Sequence, residues 1–289
     1  MQAIAQRILL ELRLFFTAMQ FLTRMRVPAW VGFEPIWLQR CVRYFPLAGA
    51  MVGCFGALVL ALASRWWPPG VAAVLSMVAT VWMTGGFHED GWADTCDGLG
   101  GSVSRERALE IMKDSRVGVY ASLGLILILM LKATVLTDLL SPLHLEPSSS
   151  QGGQVHQVLL GWTVMGMIWA QALSRAVPVA LIKVLRYAGD VAHAKAKPLA
   201  TRVSNAGAGG TAVVSLAVAV MLWLALNHFR WPQSLWWRAM AGSVVAALLV
   251  TGGMAQWLTR RLGGYTGDTL GASQQLSEVV ILLVWLAVI

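Results

Sequence analysis

The chain has 289 residues, of which 57% are hydrophobic and 12% charged, where a soluble domain carries about 25% charge. With a mean hydropathy of +0.65, it holds more apolar surface than a soluble protein of this size can hide from water. Intrinsic disorder and a disulfide scaffold are excluded as well, since charge is low and the three cysteines, Cys41, Cys54 and Cys96, are scattered. The net charge of +8 fits Lys and Arg gathered in the cytoplasmic loops of a membrane protein better than nucleic-acid binding.

Residues 1–43 come first. Arg7, Arg13, Arg24 and Arg26 interrupt Leu9, Leu12, Phe15, Phe16, Met19 and Leu22. This amphipathic pattern predicts a helix lying in the membrane interface, ended by Val27-Pro28. Glu11 and Arg13 and the lack of a small-residue cleavage pattern argue against a cleavable signal peptide.

Seven apolar stretches follow, at 44–64, 70–84, 117–137, 158–182, 210–226, 239–257 and 277–289. A crossing helix needs about 20 residues, so the second and seventh are short and the count is six or seven. The prediction is one all-α domain over 1–289, a polytopic transmembrane helix bundle. With the N-terminus in the cytoplasm, the cytoplasmic segments 1–43, 85–116, 183–209 and 258–276 carry 17 of the 22 Lys and Arg. The loop 138–157 on the other side carries none. The positive-inside rule therefore predicts an integral membrane protein with its N-terminus and its acidic segment in the cytoplasm. Trp66/Trp67 and Trp236/Trp237 fall at predicted outer boundaries, as aromatic belts do.

Half of the 14 acidic residues lie between Gly85 and Arg116. Asp90, Asp94 and Asp97 are spaced i, i+4, i+7, so on a helix they share a face. No Lys or Arg lies within 85–104 to offset them. Such a cluster is stable mainly with a bound cation, and oxygen ligands alone suit Mg²⁺ or Mn²⁺. The alternative is a solvated acidic loop. A second helix, opened by Ser104, is predicted to run to Arg116 and to carry Asp114. That residue either closes the metal site and serves as a base, or pairs with Lys113 and Arg116. His88 is open between general base, phosphate contact and support for a ligand; Glu89 is unassigned. The spacing is distantly similar to that of the CDP-alcohol phosphotransferases, but their Arg and their later Gly and paired Asp are missing.

Read whole, Met83-Thr84-Gly85-Gly86-Phe87-His88-Glu89-Asp90-Gly91-Trp92-Ala93-Asp94-Thr95-Cys96-Asp97-Gly98 resembles the hallmark of the cobalamin synthase family. Arg107 to Gly118, Phe21-Leu22-Thr23-Arg24, Phe45-Pro46-Leu47, Ser174-Arg175, Gly263 to Ala272 and Leu276-Ser277-Glu278 resemble further blocks of that family, in its order. Glu89 departs from it, since an apolar residue is usual there. The resemblance implies an enzyme of late vitamin B12 assembly, integral to the bacterial inner membrane with its site facing the cytoplasm. Such an enzyme joins adenosylcobinamide-GDP to α-ribazole or α-ribazole 5′-phosphate and releases GMP, with Mg²⁺ as cofactor. Asp90, Asp94 and Asp97 are then expected to hold the metal against the diphosphate, with Asp114 and His88 as catalytic candidates. Gly264, Thr266, Gly267, Asp268, Arg175, Glu278 and Lys113 are the expected substrate contacts. The partners implied are the two small-molecule substrates and membrane lipid, without nucleic acid; other cobalamin-assembly enzymes and a second copy of the chain stay open. A CDP-alcohol-type phosphotransferase and an ion-coupled transporter are the rival readings.

Two adjacent glycines, Gly263 and Gly264, allow a tight turn or a close approach to phosphate. Arg175 inside a predicted span pairs either with substrate phosphate or with an acidic residue. Lys132 in the third span faces the same choice, with snorkelling of its flexible stem as the favoured alternative. Lys183, Arg186, Lys195, Lys197 and Arg202 form a basic group that anionic lipid attraction accounts for.

Overall fold

The computed structural model describes residues 2–141, 152–189, 203–228 and 233–289, which are almost entirely helical and form no strand ladder. The helices are α1 (Gln2–Leu22), α2 (Pro35–Arg40), α3 (Phe45–Ala63), α4 (Pro69–Thr84), α5 (Phe87–Gly100), α6 (Arg105–Ile111), α7 (Val119–Leu140), α8 (Gly152–Ser174), α9 (Ala176–Val184), α10 (Asn205–His228), α11 (Gln233–Leu262) and α12 (Gly267–Val288). Among the described residues six helical segments are long and apolar enough to cross a membrane, and the bent pair α4–α5 makes a seventh candidate. The protein is an all-α, polytopic membrane bundle.

Several predicted boundaries shift for identifiable reasons. The first span starts at Pro35, because α2 and the 3₁₀ turn 41–44 feed directly into α3. The seventh reaches back to Gly267, so α12 has 22 residues and is no short cap. Its polar start, with Gln274, Gln275, Ser277 and Glu278, hid this part from a hydropathy reading. The helix opened by Ser104, whose hydroxyl accepts from the Arg107 N–H, stops at Ile111 rather than at Arg116. Of the loop 138–157, both ends are helical and 142–151 lies outside the described residues, as do Lys195, Lys197 and Arg202.

Close packing rests on glycine where helices touch. A Cβ at Gly49 would lie 2.1 Å from the Gln171 carbonyl oxygen, and one at Gly53 2.7 Å from Ile168 Cα. α3 and α8 can meet backbone to backbone only with glycine at these positions. The core is completed by Trp162, whose ring lies 4.5 Å from that of Trp285, and by Trp236, 5.7 Å from Trp285. Trp236 is thus a core residue, contrary to its expected place in a boundary belt. Neighbouring residues on a helix point about 100° apart, which leaves Trp237 exposed and Trp236 inside. Trp66 and Trp67 are both exposed, as expected.

The turn between α4 and α5 positions the site. Gly85 (φ 75°) ends α4 and Gly86 (φ 71°) opens α5, both left-handed. Two consecutive left-handed residues are tolerated by glycine and by little else. They turn the chain by 92°. The acidic segment is therefore a helix set across the direction of α4.

Candidate active site

α5 carries the acidic segment as the spacing predicted. Asp90 is exposed and Asp94 half-buried, while Gly91, Ala93 and Thr95 are buried against the bundle. α5 lies on α12 at a glycine contact: a Cβ on Gly91 would meet the Asp268 carbonyl oxygen at 2.7 Å and Gly271 Cα at 3.1 Å. Gly91 and Asp94 are three residues apart and share a face. The first turn of α12 is thereby brought against the acidic side of α5. That turn is held by a capping box, in which Thr266 Oγ1 accepts from the Thr269 N–H at 3.3 Å and Thr269 Oγ1 accepts from the Thr266 N–H at 2.9 Å. Gly267 is exposed at the first helical position and Asp268 follows it, half-buried. Gly264 serves a close approach of two main chains, since a Cβ there would lie 2.0 Å from the Arg186 carbonyl oxygen. The Tyr265 N–H donates to that oxygen at 2.9 Å, and the Ala188 N–H donates to Tyr265 O at 2.8 Å.

Asp97 turns the other way. Its Oδ2 accepts from the Gly118 N–H at 2.6 Å and its Oδ1 from the Ala121 N–H at 2.7 Å. It thus satisfies the first amides of α7, and its negative charge suits that helix end. Asp114 lies in the turn after α6 rather than on it. It takes the pairing alternative: Arg116 Nε reaches both carboxylate oxygens at 3.0 Å, and Nη2 reaches Oδ2 at 2.5 Å. The Arg116 guanidinium holds the Asp114 carboxyl at about 2, well below its ordinary value. Lys113 is exposed beside it.

The remaining expected residues sit inside the bundle. His88 is buried on the face of α5 turned from solvent. Arg175 occupies the break between α8 and α9. Pro178 lacks an N–H and its ring crowds the Ser174 carbonyl, which interrupts the helix there; Ser277 Oγ donates to that carbonyl at 3.5 Å. Arg175 Nη1 donates to the Gln171 carbonyl at 2.8 Å and also to its side-chain oxygen. Glu278 is buried and forms an ion pair with Lys132. It also accepts from Gln171 Nε2 at 2.7 Å and from Gln274 Nε2 at 2.9 Å. Lys132 therefore does not snorkel; a buried carboxylate one helix away holds it. Gln275 Nε2 donates to Glu89 Oε1 at 3.0 Å, tying α5 to the same polar core. Gln171, Gln274 and Gln275 were not expected in the network, whereas Lys132 takes the pairing alternative. The signal was present in the sequence, as polar side chains three or four apart within apolar spans. Arg105 was missed too: its Nε donates to Leu262 O at 2.7 Å and its Nη2 to Ala188 O at 3.2 Å.

Two carboxylates one turn apart, Asp90 and Asp94, are a donor set that suits Mg²⁺. This ion commonly takes one or two carboxylates and completes its shell with water and substrate phosphate. Among the described residues no group of three or more His, Cys, Asp or Glu side chains converges as a metal cage. The fit is thus to a metal held partly by substrate.

The sequence profile of the cobalamin-5-phosphate synthase family matches residues 14–286. The chain belongs to this family. It is 51% identical over 278 residues to the adenosylcobinamide-GDP ribazoletransferase of Leptothrix cholodnii, covering 96% of both chains. It is 42% identical over 292 residues to the protein of the same name from Shewanella amazonensis, covering 96% of this chain and 95% of the relative. A third such protein, from Polaromonas naphthalenivorans, is 40% identical over 288 residues, covering 94% of this chain and 96% of the relative. No solved structure matches. Family membership makes the chain a transferase of cobalamin biosynthesis.

Proposed function

We propose that this chain joins adenosylcobinamide-GDP to α-ribazole, or to its 5′-phosphate, and releases GMP, at a site facing the cytoplasm of the bacterial inner membrane. The observation that carries the reading is the Gly91–Gly271 contact, which sets the carboxylates of α5 beside the first turn of α12. A diphosphate bridging the two meets opposite chemistries: carboxylates for a metal on one side, backbone amides and the positive helix end on the other.

Asp90 and Asp94 would hold Mg²⁺. The ion would supply charge neutralisation on the diphosphate and a lowered pKa for the attacking hydroxyl. Gly267 and Asp268 present the α12 amides to the outer phosphate oxygens. Arg116, oriented by Asp114, and the neighbouring Lys113 add positive charge at the edge of the site. Asp114 is too weak a base to take the ribose proton, so it orients. Asp97 acts through α7, which it caps. The buried network of Lys132, Gln171, Arg175, Gln274 and Glu278 keeps α12 in register under α5. Catalysis of this kind is chiefly positioning and charge stabilisation.

The test is GMP release by purified protein in detergent, with adenosylcobinamide-GDP and α-ribazole, with and without Mg²⁺. Release that needs both substrates and the metal supports the reading. CMP release from a CDP-alcohol, or no release with either, overturns it.

A further inference from the structure

On the face of α5 opposite its carboxylates, a groove of about 740 Å³ opens between α7 and α11, floored by α12. That is a volume typical of small-molecule sites. Its walls include Trp92 and Thr95 of α5, Tyr120 and Gly124 of α7, and Gly253 and Trp257 of α11. Two polar atoms on these walls, Trp92 Nε1 and Thr95 Oγ1, are buried and have no hydrogen-bond partner among the described residues. The threonine is the anomaly. Buried Thr163 and Thr211 return their hydroxyls to the carbonyl one turn back, at 2.8 and 3.0 Å, as helical threonines do in apolar surroundings. In hydrocarbon an unmet donor is costly. The groove therefore calls for an occupant that is mostly apolar and brings an acceptor to the α5 end.

We infer that the groove binds one anionic phospholipid of the leaflet on the α5 side. An acyl chain would lie along α11, with an ester carbonyl at the α5 end accepting from Thr95 once its hydroxyl turns toward the groove. Three features favour a lipid. The flanks of the groove are continuous with the outward apolar surface of α7 and α11, where Leu127 and Leu248 are exposed. From Trp257 to Leu249 the wall runs about 12 Å along the helix, close to the depth of one leaflet, half of about 30 Å. The last turn of α11 sets Arg260 and Arg261 one turn beyond Trp257, on the groove side, and Arg261 Nη2 donates to Gly101 O at 2.7 Å across the mouth. Two guanidinium groups at that edge favour an anionic headgroup. The groove lies behind the acidic face, so the lipid braces α5 without entering the reaction.

The test is independent of the transferase reading, because it measures retained lipid rather than activity. A Cβ at Gly253 and one at Gly252 both meet open space, yet only Gly253 lines the groove. Delipidated wild type, Gly253→Phe, Gly252→Phe, Thr95→Val and Arg260→Gln are incubated with phosphatidylglycerol or phosphatidylcholine. Bound lipid is then counted by native mass spectrometry. Wild type and Gly252→Phe should retain one phosphatidylglycerol, at least tenfold more than phosphatidylcholine. Gly253→Phe should lose it at least tenfold, Thr95→Val several-fold, and Arg260→Gln should narrow the headgroup preference. Thr95→Val is nearly isosteric and keeps the test open if Gly253→Phe fails to fold. Equal retention by Gly253→Phe and wild type, equal retention of the two lipids, or displacement of the lipid by stoichiometric adenosylcobinamide-GDP would each overturn the assignment.

Discussion

Gly91 and Gly271 touch through their backbones: a Cβ on Gly271 would lie 3.3 Å from Gly91 Cα, and one on Gly91 would lie 3.1 Å from Gly271 Cα. The obstacles are main-chain atoms of a capped helix, so a side chain at Gly91 must push α5 and α12 apart. Overpacking of this kind costs about 1–3 kcal/mol. Gly91→Ala is expected to lower the melting temperature in detergent and to cut GMP release more than tenfold. Gly252→Ala, in open space on α11, should leave melting unchanged or raise it, as helical Gly→Ala does. Equal effects of the two would remove the significance of the contact.

Asp90, Asp94 and Asp97 share a face by their spacing, yet Asp97 is taken up by the amides of α7. Asp90→Asn and Asp94→Asn are expected to abolish GMP release, with excess Mg²⁺ restoring part of it, while the melting temperature stays within a few degrees. Asp97→Asn should instead cost about 1 kcal/mol of stability through the lost charge at the α7 amides. Its Mg²⁺ concentration for half-maximal rate should remain that of the wild type. Titrating Mg²⁺ against the three variants decides the matter.

The Lys132–Glu278 pair is buried on both sides, with 5% and 3% side-chain exposure. Removing one partner strands the other charge, a loss of about 3–5 kcal/mol in comparable sites. Lys132→Met should therefore destabilise strongly. Adding Glu278→Gln should recover most of the loss, since the amide oxygen that replaces the carboxylate can still accept from Gln171. A double-mutant cycle by thermal unfolding reads the coupling. Additive losses would mean that the pair does not act as a unit.

Arg116 depresses the Asp114 carboxyl from 3.8 to about 2. A depressed acid lends its stabilisation above its unfolded value and loses it as the pH falls through the folded one. Across pH 5–9 Asp114 thus stays ionised, about three or more units above the folded value. Asp114→Asn is expected to lower the rate by freeing Arg116, while leaving the shape of the pH–rate curve in that range unchanged. An acidic limb that disappears in the variant would make Asp114 a titrating base after all.

Much of the architecture could be read from apolar run lengths, because a bilayer demands about 20 such residues per crossing. The same criterion blurred α12, where Gln274, Gln275 and Glu278 look like loop residues until Lys132, Gln171 and Ser174 are seen to meet them. Spacing along one chain marks a polar stripe on a span, but which helix answers it is a property of three dimensions. The acidic helix was legible from its i, i+4, i+7 period, yet the same period could not tell Asp97, which reaches an amide 24 residues away, from its two neighbours. Asp114 was placed on the right segment with both of its roles in view; only the geometry of Arg116 separates them. Trp236 was misplaced because a pair of tryptophans suggests one environment, while adjacent helical positions face two.

Under the proposed function the joint at Gly85–Gly86 also sets the height at which the chemistry takes place. Unbent, residues 69–100 would form a rod of about 48 Å, far exceeding the hydrocarbon thickness of about 30 Å, and its acidic end would stand clear in water with nothing opposite it. Folded through a right angle, that end lies against α12, and under the proposed function it forms a shelf at the bilayer surface. On that reading a bulky, water-soluble metabolite is worked on from above, without its nucleotide ever crossing into the oily layer.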